Sequence, residues 1–295
     1  MADARPQVGF LGPAGTFSEE ALLAGAPAEA VEPVPFATIY ETALAVRDGV
    51  VPWAMVPIEN SLEGSVTVTL DLLADGHGGL EIVGEALLAV THNLITAGAV
   101  QLSEIETVLT HPHVPGQCTR LLRGELAHAQ VTPTSSTADA VRRVASERRR
   151  DQAALGTRLA AEIYGATVLR EAVQDRDDNV TRFVWLARRS HAEAQAPAPP
   201  WLAARAGGGE WKTSLVFWGA GAESPGWLVR CLDAFAQREI NLTKIESRPL
   251  RSALGHYVFF VDVQGERGQP EVSDAIASLR EVCEEVRVLG SYRSG

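Results

Sequence analysis

Asn179-Val180-Thr181-Arg182-Phe183-Val184-Trp185-Leu186 joins polar, ligand-capable side chains directly to an apolar run. Phe183–Leu186 is β-branched and aromatic, the composition of a buried strand, and Arg188 supplies a charged end. A Thr at the mouth of such a strand stands where α/β proteins place their chemistry, because ligands bind at strand ends. Upstream, short apolar runs alternate with helical patterns. Strands are expected at Val8–Leu11, Trp53–Pro57, Val83–Val90, His92–Ile95, Thr107–Thr110, Ala153–Leu155 and Thr167–Arg170. Helices are expected from about Ser18 and over Thr38–Arg47, Val66–Leu73, Pro115–Arg123, Ser136–Arg149 and Thr157–Tyr164. That alternation predicts parallel sheets with helices on both faces.

Downstream, the composition breaks at Ser190–Glu210, which holds Ala-Pro-Ala-Pro-Pro at 196–200 and Gly207-Gly208-Gly209. Such a stretch reads as a connector, stiff and then flexible. Beyond it the expected order is strand Thr213–Trp218, helix Gly226–Gln237, strands Asn241–Ser247 and Tyr257–Val263, helix Ser273–Cys283 and strand Val286–Leu289. This βαββαβ order is that of the ferredoxin-like split motif. The chain is therefore divided into a large N-terminal part over 7–188, a linker over 189–211 and a C-terminal module over 212–290.

A length of 295 residues suits about two domains. An apolar fraction of 46% and a charged fraction of 21% are those of a soluble globular chain. No run of about 18 apolar residues is present, so no membrane span is expected. Met1–Pro6 leads straight into a strand without a secretory pattern. The three cysteines, Cys118, Cys231 and Cys283, are far apart in sequence, which suits free thiols in a cytoplasmic protein better than a disulfide framework. The net charge of −11 argues against a nucleic-acid partner. It also requires that a site for an anion be made locally positive by helix N-termini and a few placed side chains.

Four more segments carry candidate chemistry. Gly12-Pro13-Ala14-Gly15-Thr16-Phe17-Ser18 joins a strand to a helix and is either a tight turn or a cradle for an anion, with Ser18 as a cap; the Gly-Lys-Ser/Thr ending of a nucleotide phosphate loop is absent. Val56-Pro57-Ile58-Glu59-Asn60-Ser61 places donors and acceptors, Asn60 and Ser61, at a strand end. Ser135-Ser136-Thr137 precedes a helix and serves as cap or anion contact. Thr110-His111-Pro112-His113 with Cys118 has no recognised zinc spacing, so no metal is expected, and Thr110 and Gln117 are better used as neutral hydrogen-bonding groups. In the C-terminal module, Ser224–Val229 turns into a helix, and Asn241–Pro249 is a strand rich in polar groups, as an edge strand needs to be.

In their order and spacing these segments resemble the prephenate dehydratases that carry a C-terminal ACT regulatory domain, over about Val8 to Leu289 and without a chorismate mutase domain ahead. The resemblance implies two α/β subdomains like those of type II periplasmic binding proteins, with the active site in the cleft between them. It implies decarboxylating dehydration of prephenate to phenylpyruvate, without a cofactor, in phenylalanine biosynthesis. The family's essential Thr falls on Thr181, and its cleft residues on Asn60, Thr110, Gln117, Arg182 and Phe183, to which Ser61 and Ser136 are added as substrate contacts. Arg182 and the helix N-termini are expected to hold the substrate's carboxylates. The ACT resemblance implies L-phenylalanine bound between paired modules of a homodimer or homotetramer. Its pocket falls on Gly226, Trp227, Leu228, Asn241, Glu246, Ser247, Arg248 and Pro249, with Trp227 where a small residue is usual. An arogenate dehydratase and a non-catalytic small-molecule sensor are the alternatives, and the intact Asn179–Phe183 motif favours catalysis over the sensor.

Overall fold

The computed structural model describes residues 5–27, 29–75, 79–189, 196–204, 209–219, 224–250 and 257–294. The chain starts with β1 (Gln7–Leu11), α1 (Phe17–Gly25), β2 (Glu32–Phe36), α2 (Ile39–Arg47), β3 (Trp53–Asn60), β4 (Gly64–Ser65), α3 (Thr67–Ala74) and β5 (Leu80–Ala89). It then builds a second unit from β6 (Asn93–Thr96), β7 (Thr107–Thr110), α4 (Thr119–Arg123), β8 (Gln130–Pro133), α5 (Thr137–Glu147), β9 (Gln152–Gly156), α6 (Arg158–Tyr164) and β10 (Thr167–Arg170). β11 (Val180–Arg188) returns to the first unit, inserting between β3 and β5 in the sheet β2-β1-β3-β11-β5. The second unit has its own sheet, β10-β6-β9-β7-β8. Two chain crossings thus join the units, and both lie beside the start of β11.

Both sheets are mixed, not parallel as the alternation predicted. β1 pairs parallel with β2 and β3, but β11 runs antiparallel to both of its neighbours, and β6 runs antiparallel to β9 and β10. The reason is topological: a strand that returns from the other unit enters from the opposite end. β2 and β8 escaped the sequence reading because prolines interrupt them (Pro33, Pro35, Pro133), and both are edge strands, where a missing N–H is tolerated. Local signals hold elsewhere. Thr38, Ser136 and Thr157 cap α2, α5 and α6 by accepting from the backbone N–H three residues on. Ser18 caps nothing: α1 starts at Phe17, behind Thr16.

The linker is less open than its composition suggests. Residues 190–195 and 205–208 of the Ser190–Glu210 segment lie outside the described residues. Between them α7 (Pro200–Ala204) lies on the first sheet: the Trp201 ring meets Trp53 and Trp185 edge to face at 5.4 and 5.8 Å, and the Trp53 indole N–H donates to the Pro197 carbonyl at 2.8 Å.

The last part contains β12 (Trp211–Trp218), α8 (Trp227–Ala236), β13 (Leu242–Pro249), β14 (Tyr257–Gln264), α9 (Pro270–Val282) and β15 (Glu285–Arg293), the βαββαβ order expected. β12 starts at the last residue assigned to the linker, and β15 runs past residue 290 to Arg293. The sheet order is β13-β14-β12-β15. One face carries α8 and α9 over Leu215, Phe217, Val261 and Val263. The other face packs on the first unit: Val216, Phe260, Leu289 and Tyr292 share one core with Val56, Leu70, Ile82, Val184 and Leu186. β15 approaches β5 so closely that a Cβ built at Gly290 would lie 2.1 Å from the Ile82 carbonyl oxygen, which is why glycine stands there.

Candidate active site

A cleft of about 840 Å³ opens between the first two units. Gly12–Pro13 and Thr16–Ser18 border it from the first unit, and Ser135–Thr137, Asp139 and Arg142 from the second. α1 and α5 therefore both begin at the cleft, and no side chain caps the first turn of α1. Their N-terminal dipole ends favour an anion. Arg142 is the only Lys or Arg among the described lining residues, and it pairs with Asp139 on the same helix. Sequence reading missed it, because an i,i+3 Asp–Arg pair looks like an ordinary solvated helix face.

The floor of the cleft is a directed hydrogen-bond chain. β3 and β11 bring Asn60 opposite Thr181. The Asn60 Oδ1 atom accepts from the backbone N–H groups of Leu62 and Glu63, both at 2.9 Å, which fixes the orientation of the amide. Its Nδ2 must then donate, and it does so to Thr181 Oγ1 and to Asn179 Oδ1, both at 2.8 Å. With its oxygen accepting from Asn60, Asn179 donates from Nδ2 to Gln117 Oε1 at 3.0 Å. Gln117 Oε1 also faces His92 Nε2 at 3.0 Å, so His92 carries its proton on Nε2. The polarity of the whole chain follows from two backbone N–H groups. Its consequence is local: the Thr181 hydroxyl accepts from Asn60 and keeps its own proton for another acceptor.

His92 was not among the sequence candidates. It stands at the first crossing between the units, buried, with the Phe17 ring edge-on at 5.5 Å. Burial lowers its pKa from the ordinary 6.5, against the opposing bond to Gln117, so the ring is neutral. His111 is also held low, by burial and by the neighbouring His113, with Glu63 opposing. No group of three or more possible metal ligands occurs among the described residues.

Asn60, Gln117, Ser136, Thr181 and Phe183 line the cleft. Phe183 is at the same time a core side chain, packed with Val8, Phe10 and Met55. Ser61 works one step away: its hydroxyl accepts from Val180 N at 3.0 Å and donates to the Asp178 carbonyl at 3.1 Å, fastening the returning crossing to β3. Thr110 is fully buried and donates to the Leu155 carbonyl at 3.2 Å, so it does not reach the cleft.

Arg182 corrects the expectation most. Successive strand residues point to opposite faces, so Thr181 and Phe183 meet the cleft while Arg182 turns away from it. Its guanidinium enters the C-terminal sheet, donating to Glu85 at 2.7 Å, Asp262 at 2.6 Å and Tyr292 Oη at 2.8 Å. Lys212 completes the cluster on Glu85 at 2.8 Å, and Ser214 donates to Asp262 at 2.5 Å. Burial opposes the charge on Arg182, but Tyr292, Asp262 and Glu85 together outweigh it and hold the pKa above its usual value. Burial, reinforced by Asp262, raises that of Tyr292.

The C-terminal candidates also divide. Trp227 is buried in the core between Phe217 and Phe259, and its indole N–H donates to the Val282 carbonyl at 2.8 Å, so among the described residues its ring is taken up in core packing. Glu246 and Arg248 turn toward the first unit, where Glu246 accepts from Ser65 and Arg248 meets Asp71 at 3.7 Å. Lys244 lies beside them, 3.1 Å from Glu59. Gly226 takes a left-handed φ of 79° ahead of α8. Leu228 packs against the core, whereas Asn241, Ser247 and Pro249 are exposed.

The family profile described as Prephenate dehydratase matches residues 8–191. A prephenate dehydratase of Mycobacterium sp. (strain JLS) is 39% identical over 98% of this chain and 90% of its own length. An Arabidopsis thaliana protein named arogenate dehydratase/prephenate dehydratase 2, chloroplastic, is 39% identical over 98% of this chain and 73% of its own. Among solved structures, prephenate dehydratase from Arthrobacter aurescens in complex with L-Phe superposes with a TM-score of 0.84 at 37% identity, covering 97% of this chain and 89% of the other. A protein described as a novel type of quorum-quenching acylase superposes with the same TM-score of 0.84 at 30% identity, covering 98% of each chain. With the profile spanning the whole two-unit part that encloses the cleft, this chain belongs to the prephenate dehydratase family.

Proposed function

We propose that the cleft converts prephenate to phenylpyruvate, with Thr181 serving the departing hydroxyl. The observation that carries this is the orientation of Asn60: because its amide N–H occupies the Thr181 oxygen, the threonine proton is left for an acceptor in the cleft. In the reaction the ring carboxylate leaves as carbon dioxide, its bonding electrons aromatise the ring, and the ring C–O bond breaks to release hydroxide, which is protonated to water. Aromatisation drives the step, and hydroxide is the poor leaving group. A positioned donor at a developing oxyanion is typically worth about 10²–10³ in rate. The substrate's carboxylates are assigned to the N-termini of α1 and α5, to Ser136 and to Arg142. Arg182 and Thr110 have no part in that assignment. Gln117 and His92 hold Asn179, and through it Asn60, in register.

An arogenate dehydratase is the second reading, and one observation favours it. Glu63 and Asp139 border the cleft, and a carboxylate is the partner that the amino group of arogenate needs. Parallel assays of phenylpyruvate from prephenate and phenylalanine from arogenate test both. Turnover of prephenate at least tenfold above that of arogenate is expected, and turnover of neither overturns the assignment.

The 212–290 module, in this proposal, is an ACT domain that binds L-phenylalanine and lowers activity. Support comes from its βαββαβ order and from the Arthrobacter aurescens relative, whose structure is a complex with L-Phe. The pocket is assigned to the backbone at Gly226, to Leu228 and to Asn241 and Ser247. Glu246 and Arg248 act as the link to the catalytic part. Exposed Val229 and Ile245, 69% and 50% accessible, mark the face that pairs with a second copy. The assembly is a homodimer or homotetramer in the cytoplasm. Val229→Glu with Ile245→Glu should yield a monomer in sedimentation and abolish inhibition by phenylalanine.

A further inference from the structure

Cys231 and Cys283, 52 positions apart in sequence, bring their sulfurs to 3.6 Å in the C-terminal part. We propose that they are a redox-active dithiol, a modification site that closes to an intramolecular disulfide when the protein meets a low-molecular-weight disulfide. Cys231 is buried within α8, one turn after Trp227. Cys283 ends α9 in extended backbone, φ −114° and ψ 150°, and is half-buried. A disulfide needs sulfurs about 2.05 Å apart. The remaining approach is taken up at Cys283, which is held to α9 by a single terminal hydrogen bond, its N–H to the Leu279 carbonyl at 3.1 Å, whereas Cys231 is fixed inside a helix.

The chemistry balances. Cys283, the accessible thiol, attacks one sulfur of the small disulfide as its proton passes to the Cys231 thiolate, breaking the S–S bond and releasing one small thiol. Cys231, deprotonated in turn, attacks the Cys283 sulfur of the mixed disulfide, forming Sγ–Sγ and releasing the second small thiol. Each protein thiol loses its proton, and two electrons pass to the reagent, which is reduced. The thiol–thiol hydrogen bond holds Cys231 below its ordinary range despite burial and, with burial, raises Cys283, so the pair shares one thiolate that resides on Cys231 and takes up the Cys283 proton during attack. Cys118 is the built-in control: it is fully buried away from the pair, and burial, with Asp175, pushes its thiol up to about 12.

Closure would tie α8 to the end of α9 at the point where the Trp227 indole already donates to Val282. The bond would thus add a covalent tie at the middle of α8 to the hydrogen bond at its start. Whether or not phenylalanine is the effector, the dithiol stands on its own geometry.

The test is to incubate the full-length protein with oxidised glutathione, without denaturant. Titratable thiols, counted in denaturant, should fall from three to one, with a mass lower by two hydrogens and a Cys231–Cys283 peptide in the digest. Dithiothreitol should reverse it, and circular dichroism should be unchanged. Cys231→Ser should stop at a stable glutathione adduct on Cys283, and Cys283→Ser should leave Cys231 unmodified. Retention of all three thiols by the folded wild type would overturn the proposal, as would an adduct that never closes or a product that contains Cys118. The wild-type outcome decides even if a variant fails to fold.

Discussion

Asp262→Asn should cost the protein about 3 kcal/mol without touching the chemistry. Asp262 is 6% exposed, lies 2.6 Å from Arg182 and accepts from Ser214 at 2.5 Å. Arg182 is shared among Asp262, Glu85 and, at 3.6 Å, Glu59, while Lys212 pairs with Glu85. Removing the Asp262 charge takes from Arg182 its nearest carboxylate, and breaking one partner out of a buried pair costs about 3–5 kcal/mol. An amide keeps one acceptor, so the lower end applies, roughly a hundredfold in the folding constant. Arg182→Met combined with Asp262→Leu should recover most of the loss, because Glu85 and Lys212 remain as a matched pair and hydrophobic replacement of a buried ion pair is often neutral. Urea unfolding followed by Trp fluorescence measures both. The same double variant should keep its KM for prephenate within about twofold, since Arg182 faces away from the cleft, whereas losing a charge-assisted bond to a substrate carboxylate would cost about 1.5–3 kcal/mol. A loss below about 1 kcal/mol in Asp262→Asn would refute the buried-pair argument. A KM raised about tenfold or more in a folded double variant would return Arg182 to the substrate.

Three further outcomes are expected. His92 has a folded pKa below its ordinary 6.5, so the unfolded chain binds its proton first; its contribution to stability is complete above pH 6.5 and is lost as pH falls through the lowered folded value. The stability difference between wild type and His92→Gln should therefore be flat above that pH and shrink only below it, and a change confined to higher pH would contradict the neutral ring. Because Gln offers an N–H to Gln117, His92→Gln should retain kcat, while His92→Leu should lower it about fivefold, the worth of one neutral hydrogen bond; equal losses would remove the donor role. Gly290→Ala places a Cβ on the Ile82 carbonyl and should lower stability by about 1–3 kcal/mol; an unchanged urea midpoint would show that β15 sits off β5.

The strand–helix order and the βαββαβ pattern were legible because each rests on local periodicity. Strand direction was not: β11 is antiparallel to its neighbours only because the chain leaves for a second unit and returns. At the site, Thr181 and Asn60 could be picked out as polar groups at strand ends, yet their pairing is a matter of register. Strand alternation already separates Arg182 from Thr181, but the sequence could not show that Asp262 and Tyr292 waited on the far face. Trp227 reads as an odd residue in a pocket motif and proves to be core, since its neighbours Phe217 and Phe259 come from other strands. His92 lies between two strands with no pattern around it, and Cys231 and Cys283 meet only through the packing of α8 on α9.

The central claim is that Thr181 presents its proton to the departing hydroxyl because Asn60 occupies its oxygen. It is tested most directly by kcat for prephenate in Thr181→Val and Thr181→Ser, measured at saturation on folded protein. Val fills the same space without a hydroxyl and should lower kcat by about 10² or more at a nearly unchanged KM, while Ser, which keeps the hydroxyl, should stay within about tenfold of wild type. A Val variant that turns over prephenate at near the wild-type rate would contradict the account.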